Sequence, residues 1–125
     1  MDDRSHAVDA VATYFGVLSE PTRVRIMHAI CEEEKTVSQI VEELGASQSN
    51  VSRHLGIMHR GGVLERRKDG NQVYYRTADP AMVDLCRSIC KRISERMDGK
   101  MPVRRELLRL MLQPKSKPKP KRPAT

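Results

Sequence analysis

Cysteine and histidine are the side chains of this sequence best suited to chemistry, and their spacing limits what that chemistry could be. Cys86 and Cys90 stand four apart, which puts both thiols on neighbouring turns of one helical face. Two thiolates so placed could give two ligands to a soft metal or metalloid ion, with Cys31 as a third. Alternatively, Cys31 could form a disulfide with one of the pair on oxidation, provided the Cα atoms come within about 7 Å. A third account is packing alone, because both cysteines fall on an apolar stripe and free cysteine often serves as a small buried hydrophobe. The residues leave all three open. His6, His28, His54 and His59 show no ligand spacing. There is no phosphate-cradling glycine loop, no His-Glu-x-x-His and no nucleophile elbow, so the chain reads as a binding protein and not as an enzyme.

A second group of residues suits recognition. Ser47, Gln48, Ser49, Asn50, Ser52, Arg53 and His54 crowd short or flexible hydrogen-bonding groups into two turns. A helix that reads base edges in a major groove needs such groups near its N-terminus. A polar, solvated face of an ordinary helical hairpin is the plainer account. Arg66, Arg67, Lys68, Asn71 and Gln72 follow closely, as a basic cluster suited to holding the phosphate backbone.

The elements that must position these groups run from Thr36 to Arg76. Val37, Ile40, Val41 and Leu44 recur at helical spacing, opened by Thr36 with Gln39 three residues later in a capping-box pattern. Gly45 suits the end of that helix, and Ser47 is a fresh N-cap for a second one, with Val51, Leu55 and Met58 (Ile57 beside them) inward. Two helices across a short turn make a helix-turn-helix. Gly61-Gly62 ends the second helix. Residues 63–67 and 72–76 then read as strands about Asp69-Gly70, a strong hairpin signal, with Val73 and Tyr75 placed to pack on the helices. The fold expected is mainly α with a small β-hairpin, a winged helix-turn-helix.

The rest of the chain supports this frame. Residues 5–18 form an amphipathic helix with Val8, Val11, Ala12, Phe15 and Leu18 on one side. Ser19 is expected to cap a second helix that carries Pro21 in its first turn. Its Arg23 and Arg25 read as surface charge, with phosphate contact as the alternative. Asp79-Pro80 starts a long helix striped by Met82, Leu85, Cys86, Ile89, Cys90, Ile93 and Met97, which Asp98-Gly99 stops. Pro102 opens a shorter helix. The 125 residues therefore divide into one domain, 1–113, and a Pro/Lys-rich tail, 114–125, that does not fold alone. That tail carries five basic residues and no acid, which leaves only +2 of the net charge of +7 for the domain. The tail either touches DNA phosphates without sequence preference or is a solubilising end. No apolar run approaches a membrane span and the first residues are acidic, so a cytoplasmic protein with reduced thiols and no membrane partner is expected.

Three stretches carry a family resemblance: LSEPTRVRIM (18–27), ASQSNVSRHLGIMHRGGVLERRKDGNQVYYR (46–76) and ADP (78–80). From about Tyr14 to Cys90 the chain resembles the ArsR (ArsR/SmtB) family of small bacterial winged-helix repressors. The resemblance implies a homodimer, joined through the first helix and the long helix after the wing, that represses its own operon. It also implies release from DNA by a metal or metalloid ion or by thiol oxidation. Two-fold symmetry would set two recognition helices about 34 Å apart on an inverted-repeat operator of double-stranded DNA. Two family patterns are missing. The Cys-x-Cys arsenical site is replaced by Lys35-Thr36-Val37-Ser38, and no histidine follows His59 to build a zinc site on the long helix.

Overall fold

The computed structural model describes residues 2–97 and 101–111, with the side chains of Met101 and Met111 left aside. The expected stop at Asp98-Gly99 and the tail from 114 lie outside these residues. The order of elements is α1 (Asp3–Val17), α2 (Pro21–Ile30), β1 (Lys35–Thr36), α3 (Val37–Leu44), α4 (Gln48–Arg60), β2 (Leu64–Asp69), β3 (Gln72–Thr77), α5 (Pro80–Arg96) and α6 (Met101–Met111). Contacts divide the chain into two units, with the boundary between Val83 and Asp84.

In the first unit the helix-turn-helix forms as its caps dictate. The Thr36 hydroxyl accepts from the Gln39 N–H, and the Gln39 side chain accepts from the Thr36 N–H at 2.9 Å. Two orphan donors of α3 are thus satisfied by the residues that bracket its first turn. Gly45 closes α3 at φ 65°, with its N–H on the Val41 carbonyl. Ser47 caps α4 by accepting from the Asn50 N–H at 3.2 Å. The α2 cap differs from expectation: Glu20, not Ser19, accepts from the Arg23 N–H. Both residues can cap, but Glu20 stands directly before Pro21, and the Ser19 hydroxyl turns back to the Gly16 carbonyl.

The core of this unit is aliphatic. Ile26, Ile30, Ile40, Val51, Leu55, Met58 and Val63 are fully buried at the meeting of α2, α3, α4 and β2. Burial of each such side chain contributes roughly 1.5–3 kcal/mol relative to exposure. The end of α1 reaches this core through Val17, which is buried. A Cβ on Gly61 would meet the Val17 Cγ2 at 2.8 Å, so the close passage of α1 over the end of α4 requires glycine there.

The sheet has three strands, one more than the hairpin alone, in the order β1-β3-β2 and antiparallel throughout. β1 is only two residues long, too short to leave a periodic signal. Lys35 pairs with Tyr75, and Thr36 pairs with Tyr74. Tyr75 is buried as expected, Tyr74 is buried as well, and Val73 is only half-buried.

In the second unit, α5 runs on past Asp84 with Cys86 and Cys90 half-buried and Ile89 and Ile93 exposed. Ser94 is buried and its hydroxyl donates back to the Lys91 carbonyl at 2.7 Å. On α6, Leu107, Leu108 and Leu110 are half-buried and Val103 is exposed.

Candidate nucleic-acid interface

The second helix of the helix-turn-helix presents two faces. Val51, His54, Leu55 and Met58 point into the core, while Gln48, Ser49, Ser52 and Arg53 are exposed. Asn50 is half-buried and its Oδ1 accepts from the Arg53 Nη2 at 3.2 Å. Ser47 is exposed but engaged as the cap, 3.4 Å from the Ser49 hydroxyl. The outward groups are anchored by the inward ones, the arrangement that base reading demands of a helix.

His54 corrects the expectation that grouped it with the DNA-facing residues. It is only 3% exposed and lies on the inward stripe with Val51, Leu55 and Met58. Its position three residues after Val51 was the available signal. Its two ring nitrogens face two guanidinium groups: Nδ1 lies 3.2 Å from Arg23 Nη1, and Nε2 lies 3.1 Å from Arg53 Nη2. Glu20 Oε2 stands 3.6 Å from Nδ1. Burial lowers the imidazole pKa, with Arg53 and Arg23 reinforcing and Glu20 opposing. The ring is therefore neutral at pH 7.

Arg23 is not the surface charge that its sequence position suggested. Its Nε donates to the Val17 carbonyl and its Nη2 to the Gly16 carbonyl at 3.3 Å. It thus satisfies carbonyls at the end of α1, on the same guanidinium that touches His54. Local sequence cannot reveal a contact across 31 residues.

The wing residues sort by strand alternation. Arg66 and Lys68 share one face of β2, and Arg67 takes the other. Arg67 forks onto Glu34 (Nε to Oε2 2.9 Å, with Nη2 on Oε1), approaches Asp69 at 3.6 Å and lies 4.4 Å over the Tyr74 ring. The hydrogen bond to Glu34 raises the guanidinium pKa and lowers that of the Glu34 carboxyl. Its charge is thereby balanced within the protein. Arg53, Arg60, Arg66 and Lys68, by contrast, make no ion pair among the described residues. Asn71 and Gln72 are exposed at the hairpin end.

Among the described residues no three His, Cys, Asp or Glu side chains converge on a point that could hold a metal ion. In the first unit the Cys31 thiol donates to the His28 carbonyl at 3.2 Å. In the second, burial raises the pKa of Cys90.

Comparison with known proteins places this geometry. The model of the bacterial regulatory protein arsR family matches residues 20–66, which span α2 to the start of β2. An HTH-type transcriptional regulator of Mycobacterium tuberculosis is 35% identical over 75 residues, 59% of this chain and 66% of the relative. Its crystal structure superposes with a TM-score of 0.64 at 30% identity, covering 72% of this chain and 90% of that one. The chain belongs to the arsR family of bacterial regulatory proteins. A second relative, a probable mercury resistance operon repressor of Streptomyces lividans, is 36% identical over 77 residues, 62% of each chain. The chain thus spans slightly under two thirds of these curated relatives' own length. A third is the winged helix-turn-helix DNA-binding domain of a possible ArsR-family regulator from Mycobacterium bovis, described as homodimeric. It superposes with a TM-score of 0.68 at 25% identity, over 79% of this chain and 95% of that one. The ArsR family is one of DNA-binding transcriptional regulators, which is not a class of enzymes. No helix among the described residues of this ArsR-family chain is long and apolar enough to cross a membrane.

Proposed function

We propose that this chain is a homodimeric, sequence-specific repressor that acts by binding double-stranded DNA, not by catalysis, at an inverted-repeat operator of its own operon in the cytoplasm. The observation that carries the reading is the outer face of α4. Gln48, Ser49, Ser52 and Arg53 stand exposed on a helix whose other face is locked in the core, followed by the wing cations Arg66 and Lys68, which make no ion pair among the described residues. Arg66 and Lys68, with Asn71 and Gln72, hold the phosphate backbone in this reading, and residues 1–113 act as one functional domain. The tail, 114–125, would add only non-specific phosphate contacts or serve as a solubilising end.

A second copy is the occupant that fits α1. Val8, Val11 and Phe15 are 60%, 57% and 56% exposed, an apolar stripe that a lone chain leaves in water. The homodimeric M. bovis domain supports the same assembly. Phe15→Glu is expected to yield monomers in sedimentation and to lose operator affinity with them.

The releasing signal in this reading is either thiol oxidation or a soft metal or metalloid ion at the cysteines, and the name of the mercury-resistance relative supports a soft metal. The raised pKa of Cys90 works against thiolate chemistry at that residue and favours packing there. One titration addresses both function and signal: affinity for the gene's own upstream DNA at fixed salt, with excess random competitor. It is run on reduced protein, after a thiol oxidant, and with arsenite or mercuric ion. Specific binding lost under one treatment identifies the signal. Specific binding kept under all of them makes the cysteines packing residues. No preference over random DNA sinks the repressor reading in favour of a protein–protein adaptor.

A further inference from the structure

A neutral imidazole has one N–H and one acceptor lone pair, whereas a guanidinium only donates. His54 nevertheless faces a guanidinium at each ring nitrogen, Arg23 at 3.2 Å and Arg53 at 3.1 Å. Both cannot be hydrogen bonds at once. If Nε2 accepts from Arg53, the proton sits on Nδ1 and faces Glu20 Oε2 at 3.6 Å. If Nδ1 accepts from Arg23, the proton sits on Nε2 and opposes Arg53. The two arginines lead to different places. Arg53 is exposed on the outer face of α4, while Arg23 holds the Val17 and Gly16 carbonyls at the end of α1.

We propose that His54 is a positioning residue that couples Arg53 to the end of α1, because the two arginines compete for its single lone pair. The coupling rests on the DNA-binding reading above. In free protein Nε2 accepts from Arg53, which also bonds Asn50, and this holds the guanidinium against the helix. When Arg53 turns to a phosphate or a base edge, the Nε2 lone pair loses its donor. The ring proton then leaves Nδ1 for Nε2 by exchange with water, with no change in net charge. Nδ1 is left to accept from Arg23, whose grip now spans α1 and the recognition helix together. Glu20 loses its facing N–H in the same step. Contact with DNA at α4 is thereby reported to α1, the helix whose apolar stripe awaits a second copy.

The decisive measurement is the pair of 15N shifts of the His54 ring, which identify the protonated nitrogen. Free protein is expected to carry the proton on Nδ1. Arg53→Gln, an exposed substitution, is expected to move it to Nε2 with no DNA present. Adding operator DNA to the unsubstituted protein is expected to move it in the same direction. Unchanged shifts in Arg53→Gln overturn the competition without reference to DNA. A response to Arg53→Gln but none to operator, under conditions where binding is confirmed, overturns the coupling. A response to Arg53→Gln in a protein that fails to bind any operator overturns the function proposed above and, with it, the role of the relay.

Discussion

The phenol of Tyr14 donates to Oδ2 of Asp79, while Oδ1 of the same carboxylate accepts from the Ala81 N–H at 3.0 Å. One side chain therefore caps the start of α5 and ties that start to the last turn of α1, across 65 residues. These two helices are the ones whose apolar surface pointed to association, and the tie holds the first turn of α5 within the first unit.

Tyr14→Phe deletes only the hydroxyl and is expected to cost about 1 kcal/mol, the usual net value of such a bond. Asp79→Ala should cost more, because the cap is lost as well, by roughly 0.5–2 kcal/mol. Urea denaturation at one fixed protein concentration compares them, since the proposed dimerisation would make the midpoint concentration-dependent. A silent Tyr14→Phe beside a destabilised Asp79→Ala would show that the phenol contributes nothing.

Gln48→Ala and Ser49→Ala should each lose about 1–3 kcal/mol of preference for operator over random DNA. Competition binding reads this directly. Equal loss on both DNAs would place these side chains on the backbone and not on base edges.

The wing makes a prediction that sequence alone would have drawn differently. Arg66→Ala and Lys68→Ala should weaken all binding alike and lower the salt slope by about one each. Arg67→Ala should change the slope less, since Glu34 already balances that charge. Glu34→Gln should tighten binding to every DNA and steepen the slope. If Arg67→Ala flattens the slope as much as Lys68→Ala, the ion pair opens on DNA.

Protonation of His54 sets a pH dependence of stability. Its folded pKa lies below the ordinary histidine value, first because it is buried. The unfolded chain therefore binds the proton more readily, and stability falls as pH drops below about 6.5. Thermal unfolding between pH 8 and pH 5 should show this loss in the unsubstituted protein and a smaller one in His54→Gln. Identical pH profiles for the two would remove His54 as the cause.

What the sequence made legible was what neighbours decide. Thr36 with Gln39, Gly45, Ser47 and Asp79-Pro80 each act within four residues, so their roles could be read in place. Glu20 displaced Ser19 as the α2 cap because two adjacent residues could both serve. The rest needed the fold. Arg23 meets His54 across 31 residues and Arg67 meets Glu34 across 33, and in both cases a surface cation became a structural one. His54 was misplaced by its company: Ser52 and Arg53 just before it hid the inward position that it shares with Leu55.

Thr36 belongs to two structures at once. It is the N-cap of α3 and also the strand partner of Tyr74, so the first helix of the reading head and the wing share a residue. In the proposed function, a protomer built this way would meet DNA as a die of fixed span, its first reading-head helix and wing joined through Thr36. In the proposed dimer the adjustable distance would be the gap between two such dies. Operators that vary in the number of base pairs between half-sites should therefore be tolerated in a graded way. Those that insert a base pair within a half-site should be refused outright.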